Sequence, residues 1–166
     1  MRGWVHALCV IAGIAAPISL EAWTTSAHGP RNKAHYAAVE AESMTPKEVV
    51  LAFDRLAFDD HKPVEAIMKY VAPDYVDHDP TVKGDRQSAI DYLEKHDWSK
   101  GGPQRTIKHV IAEGDLVVLH HHLVRQPGTK GLVAVDIFRV KDGKLAEHWD
   151  ALQPIPDTSI NTHGPF

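Results

Sequence analysis

Three short stretches carry residue types suited to proton chemistry. Asp115 to Gln126 reads DLVVLHHHLVRQ, with three consecutive histidines in an apolar run. Leu132 to Val140 reads LVAVDIFRV, with Asp136 as its one acid, and Ala146 to Asp150 reads AEHWD. Side chains alternate along a strand, so His120 and His122 share a face with Leu116, Val118 and Val124. His121 lies on the other face, with Val117, Leu119 and Leu123. Both faces are apolar apart from the histidines, as in a sheet covered on two sides, one cover being helices and the other a pocket or a partner subunit.

The chemistry of each stretch has alternatives. A His-x-His pair on a strand is a metal pattern that needs a third and usually a fourth ligand. His78, Asp79, Asp136, His148 and Asp150 supply one only if the fold gathers them, and spacing alone does not. The same pair can be structural, satisfied by hydrogen bonds in a half-polar cavity, or can position a substrate. The expectation is that His120 and His122 face the pocket without metal, and that His121 packs on the other side. Asp136 shares its face with Ala134 and Phe138. An acid there is costly unless paired, protonated or open to a cavity. Held neutral, it can donate a hydrogen bond to an oxyanion; the alternative is an Asp paired to a nearby His or exposed at a sheet edge. His148 and Asp150 fall on one face about 7 Å apart, close enough for each to tune the other. Either is then a candidate general base.

The elements that must position these groups are legible in the surrounding chain. Thr45-Pro46-Lys47-Glu48 has the layout of a capping box with proline in the first turn. Val49, Val50, Phe53, Leu56 and Ala57 follow at helical spacing. A second short helix is expected after Pro63, with Val64, Ile67, Met68 and Val71 on its buried side, broken by Ala72-Pro73-Asp74. Tyr75 to Pro80 is extended and polar at its end. Asp85 caps a third helix with Ile90, Tyr92 and Leu93 as apolar positions, and Gly101-Gly102-Pro103 closes the helical half. From Gln104 the period becomes strand-like, and four segments are separated by Gly114-Asp115, Pro127-Gly128-Thr129 and Asp142-Gly143, all with turn chemistry. Helices first and an antiparallel meander after is an α+β order, with a pocket between a curved sheet and about three helices.

The N-terminus is of another kind. One early Arg2, an apolar stretch from Trp4 to Leu20 and small residues up to Ala27 give the layout of a secretory signal peptide, 1–27, with Ala22 as a second cleavage candidate. The stretch is shorter than the roughly 20 residues that span a bilayer, so stable membrane insertion is not expected. A linker, 28–44, then leads to a domain at 45–156 and a tail at 157–166. The expected location is secreted or periplasmic. Cys9, the single cysteine of the 166 residues, lies in the leader, which leaves a mature chain without thiol or disulfide chemistry. A net charge of −4 with no Lys/Arg run argues against nucleic acid as a partner.

The segments YVDHDP and VDIFRVKDGKLAEHWDALQPIP resemble the SnoaL-like polyketide cyclase family, within the nuclear transport factor 2-like superfamily that also holds the ketosteroid isomerases. The resemblance covers roughly Thr45 to Pro156. It implies a cone-shaped, strongly curved antiparallel sheet wrapped by helices, commonly dimeric. It also implies cofactor-free and metal-free acid/base chemistry α to a carbonyl, such as aldol-type cyclisation or isomerisation, on a small hydrophobic carbonyl compound. Asp136 falls where ketosteroid isomerases carry a protonated aspartate in the oxyanion hole. Asp150, His148, His78 and His120 match polar positions that line the cone. The expected catalytic set is Asp150, His148 and Asp136, with His78, His120, His122, Phe138 and Tyr75 as the substrate-binding set. The superfamily also contains non-catalytic ligand-binding domains of the same fold, and a His-ligated metal enzyme is the third alternative.

Overall fold

The computed structural model describes residues 44–166. The expected signal peptide and nearly all of the expected linker lie outside the described residues. Helix α1, Pro46–Asp54, starts where the capping box places it. The Glu48 amide donates to Thr45 Oγ1 at 3.3 Å, and the Thr45 amide donates to Glu48 Oε2 at 2.7 Å. Val49, Val50 and Phe53 form its buried stripe. The helix runs on into one widened turn, Arg55–Asp59, in which the Asp60 amide reaches back to the Arg55 carbonyl at 3.0 Å. Helix α2, Pro63–Tyr70, buries Pro63, Ala66 and Ile67. Of the four residues expected on its buried side, Ile67 and Val71 are buried, whereas Val64 and Met68 point outward, Met68 being 56% exposed. Eight residues have one stripe to bury, and the 63/66/67 stripe occupies it.

Strand β1, Val71–Asp77, follows directly. Helix α3, Arg86–Glu94, is capped by Asp85, whose Oδ1 accepts from the Ser88 amide at 2.7 Å. After one short turn at Trp98–Lys100 come the four expected strands: β2, Gln104–Glu113; β3, Leu116–Val124; β4, Leu132–Lys141; and β5, Lys144–Pro154. The sheet order is β1-β5-β4-β3-β2. β2 to β5 form an antiparallel meander, whereas β1 adds to β5 in parallel. The sheet is therefore mixed and open, in an α+β domain. The two-residue turn between β4 and β5, Asp142-Gly143, has both residues at positive φ, 50° and 70°. That geometry matches the strand twist and explains an Asp-Gly pair there.

Helix α1 lies across the concave face of β2 to β5. Between them sit Val49, Val50, Phe53, Val117, Leu119, Phe138, Val140 and Leu145, all buried. On β3 the inward face is Val117, Leu119 and His121. This reverses the expected assignment: His121 points in, and His120 and His122 point out. The alternation is as read from the sequence; the choice of face went to the side with the better apolar neighbours for α1. Ladder irregularities at Ile107/His109 and Arg139/Val140 bend the sheet around the helices, as extra residues in one strand do. Among the described residues no helix is long and apolar enough to cross a membrane.

The inward face of β3 sets a stability test. Leu119→Ala should lose about 2–5 kcal/mol in urea denaturation, as for a fully buried leucine leaving a cavity. His120→Ala should lose less than about 1 kcal/mol, as for a substitution outside the core.

Candidate active site

The concave face and the helices enclose a pocket of about 130 Å³, with walls that include Phe53, Phe58, Ile67, Leu93, Phe138 and Leu152. A single water needs about 10–15 Å³, so the space admits a small organic molecule. Polar groups enter it from every strand. Tyr75 and Asp77 come from β1, Arg105 from β2, His121 from β3, Asp136 from β4, and His148 and Asp150 from β5.

Asp136 is the centre of this set, and it is buried. Its Oδ2 accepts a short hydrogen bond from Arg105 Nη2 and lies 3.0 Å from His121 Nε2. His148 Nε2 approaches Oδ1 at 3.7 Å, an ion-pair contact too long for a good hydrogen bond. Arg105 is itself buried, with Nη1 3.0 Å from Asp54 Oδ1 and the guanidinium 4.5 Å above the Phe58 ring. The widened turn after α1 brings Phe58 to this place, and α1 brings Asp54. His121 Nε2 also sits 2.9 Å from Arg105 Nη2. Arginine only donates, so Nε2 either accepts from Arg105 or donates to Asp136. His121 Nδ1 is buried without a partner. An unpaired acceptor is tolerated better than an unpaired N–H, which favours the proton on Nε2, donated to Asp136.

His148 is held from both sides. Its Nδ1 is 3.0 Å from Asp77 Oδ1, and its ring stacks on Phe138 at 4.8 Å. Asp77 accepts in addition from the Tyr75 hydroxyl and the Asp79 amide, each at 3.1 Å. Burial alone would raise Asp136. The Arg105 guanidinium and the contacts from His121 and His148 outweigh it and hold the carboxyl well below the usual carboxylate range. Burial likewise opposes Asp77, and hydrogen bonds from His148, the Asp79 amide and Tyr75 bring it down. For His148 burial favours the neutral ring, but Asp136 and Asp77 prevail and push it up to about 9. At neutral pH it is an imidazolium between two carboxylates. Burial, aided by the Asp77 carboxylate, pushes the Tyr75 hydroxyl far up.

Asp150 has the opposite surroundings. It pairs across the ladder with Asp136 and lines the pocket. Among the described residues no side chain donates to its carboxylate. Burial raises it first, then the Asp79 carboxylate, and the His148 cation offsets this in part. Two aspartates on adjacent strands are thereby driven apart in acidity.

Several sequence expectations change. Asp136 is not a neutral donor, because a buried guanidinium and two imidazoles stabilise its charge. His148 is a cation rather than a resting base. His120 and His122 do not line the pocket. His120 stacks on His109 at 5.2 Å, with their Nδ1 atoms 2.9 Å apart, and His122 Nε2 donates to the Lys130 carbonyl at 2.7 Å. Phe166 packs 5.2 Å from the His122 ring. His78 is also turned away, its ring stacked on Trp149 at 4.6 Å. Alternation on β1 sends Tyr75 and Asp77 inward, and Val76 and His78 outward. Among the described residues no three His, Cys, Asp or Glu side chains are grouped to hold a metal ion. Tyr75 and Phe138 do line the pocket, as do Asp150 and His148. Arg105, Asp54, Asp77 and His121 were not foreseen. The signal for Arg105 was its place on one strand face with Ile107, and that for Asp77 its shared face with Tyr75.

An open five-stranded mixed sheet, helices on its concave face and a polar pocket between them define a nuclear transport factor 2-like domain. The family model of the SnoaL-like domain matches residues 50–148, and the chain belongs to that family. No curated protein matches the sequence. Solved structures share the fold. A nuclear transport factor 2-like protein of unknown function from Cytophaga hutchinsonii is 14% identical, with TM-score 0.56, covering 67% of this chain and 92% of its own. A proposed polyketide cyclase from Acidithiobacillus ferrooxidans is 21% identical, with TM-score 0.51, covering 66% and 89%. AclR, a proposed hydroxylase from Streptomyces galilaeus, is 22% identical, with TM-score 0.51, covering 65% and 88%.

The buried cluster sets two measurements. Asp136→Asn should destabilise the domain by about 3–5 kcal/mol, because it removes one of the two counter-charges of buried Arg105 and one of the two carboxylates that flank His148. In a nitrogen-detected NMR titration His148 should carry both ring protons at pH 7 and lose one near pH 9. A raised histidine pKa stabilises the fold fully below about 6.5; the sign is then that this contribution fades as pH climbs through about 9.

Proposed function

We propose that the protein is a cofactor-free acid/base enzyme that moves a proton α to a carbonyl of a small, largely apolar substrate, by aldol-type cyclisation or isomerisation. One observation carries this reading: Asp150 is a pocket carboxylate of raised basicity with no donor at its oxygens among the described residues, next to an imidazolium, His148. Asp150 takes the α-proton. The negative charge passes to the carbonyl oxygen, where the His148 Nε2–H, only loosely held by Asp136, turns to donate. Asp150 then returns the proton to carbon, or to the new alcohol after ring closure. Asp136 acts through His148, by keeping it charged and oriented. The apolar walls favour a hydrophobic substrate body, and the cyclase assignment of the Acidithiobacillus relative agrees with carbonyl chemistry.

The reading extends to location and assembly. The layout of residues 1–27 supports export to the periplasm or medium. Val118, Val135, Ile137 and Trp149, half-buried on the outward face of β3 to β5, support a homodimer joined through that face.

Asp150→Asn should cut deuterium exchange at the α-carbon of ketone substrates by about 10²–10⁴-fold, as expected for loss of a general base. Its fold should be as stable as the parent or more so at pH 7, because a raised carboxyl pKa means that the ionised form opposes folding. Exchange by the parent protein should rise with pH as Asp150 ionises, above the ordinary aspartate range, and fall near pH 9 as His148 deprotonates. An Asp150→Asn variant that exchanges at the parent rate would overturn the assignment.

A further inference from the structure

Resting on that acid/base reading, we infer that the substrate is a keto acid, and that Arg125 at the far end of the pocket binds its carboxylate while its carbonyl lies at Asp150 and His148.

Both ends belong to the same pocket. Asp150 pairs with Asp136, which pairs with Leu119 on β3. Arg125 follows the last residue of β3, six positions beyond Leu119 and therefore on the same side of the chain. At about 3.4 Å per residue its backbone is about 20 Å from the Asp150 row, and the side chain reaches part of the way back. Its guanidinium lies 5.9 Å from the centre of the Tyr92 ring, a wall residue between the two ends.

The charges along this axis are asymmetric. At one end stand Asp77, Asp79 and Asp150. At the other, Arg125 makes no ion pair among the described residues, whereas Arg105 and Arg139 are each held by two acids. His96 shares that end, where burial and the Arg125 charge lower its pKa. The far end thus offers one cation with a planar donor fork and no second charge beside it. A single carboxylate matches this in charge and shape; a phosphate dianion would leave charge unbalanced. An anion is also repelled from the acidic end, so the substrate enters in one orientation, with its carbonyl directed to Asp150.

The test uses the full chain with 11-oxododecanoate, whose extended chain is long enough to reach from Asp150 to the Arg125 guanidinium, and its methyl ester, a pair that differ in charge at one end. Binding is measured by calorimetry, and α-proton exchange by NMR in deuterium oxide on the same samples. The acid should bind at least about tenfold more tightly than the ester, the scale of a hydrogen bond to a charged group. Arg125→Gln should abolish that preference, and Arg125→Lys should keep part of it. Arg125 is exposed and outside the core, so both variants should fold, as circular dichroism would check. Failure of the acid to outbind the ester in the parent protein, including no binding of either, overturns the keto-acid assignment. So does a preference that survives Arg125→Gln. Exchange that continues without such a preference leaves the acid/base reading standing. A preference without exchange leaves the anion end standing and removes the chemistry.

Discussion

The ionised carboxylate of Asp136 is the constraint on which the rest of this domain depends. A buried charge is costly unless partners meet it with good geometry, and here they come from three other strands: Arg105 from β2, His121 from β3 and His148 from β5. Each reaches Asp136 only if its strand is in register. A slip of one residue would turn Asp136 to the outer face and take from Arg105 and His148 the carboxylate they share, leaving each with one partner, Asp54 and Asp77. The meander register and the pocket electrostatics are therefore one requirement. Asp54, on α1, joins through Arg105 and ties the helix to the same cluster.

That arrangement produces two groups of opposite readiness. His148 is charged because Asp77 and Asp136 flank it, and neither flanking carboxylate is available as a base. Asp150 is the acid left over: it shares the pocket and the ladder with Asp136 but has none of its donors. Environments that push two carboxyls apart in acidity are what allow one site to hold a fixed charge and a mobile proton together. The division of labour comes from which aspartate has the arginine.

Much of this was legible in the chain. The capping boxes at Thr45 and Asp85, the change of period at Gln104 and the turn pairs at Gly114-Asp115 and Asp142-Gly143 are local signals, and the elements begin and end beside them. Alternation sorted His121 from His120 and His122, and His148 and Asp150 from Glu147 and Trp149. It could not say which side of β3 faces the helices, because both sides carry valines and leucines. The partners of Asp136 were out of reach for a related reason. Arg105 and Asp54 are single charged residues in unremarkable segments, and their meaning comes from pairings made across the sheet. The parallel addition of β1 to β5 is the same kind of fact. It is what places Asp77 against His148, and nothing local in VAPDYVD specifies a partner strand.

Fold alone leaves the chemistry open, since relatives below 25% identity share this architecture under differing descriptions. What distinguishes one such domain from another is the set of side chains that the concave face presents. In this chain the apolar walls set the bulk of a ligand and say little about its orientation. Orientation has to come from groups that are charged and unpaired before a ligand arrives, since a charge already neutralised by the protein has little left to offer. Arg105, Asp136, Asp77 and His148 spend most of their charge on one another. Asp150 and Arg125 do not, and they stand at opposite ends of the pocket. On the proposed reading, a molecule that satisfies both presents an acidic C–H to one and an anion to the other, which is a narrower demand than the volume of the cavity makes.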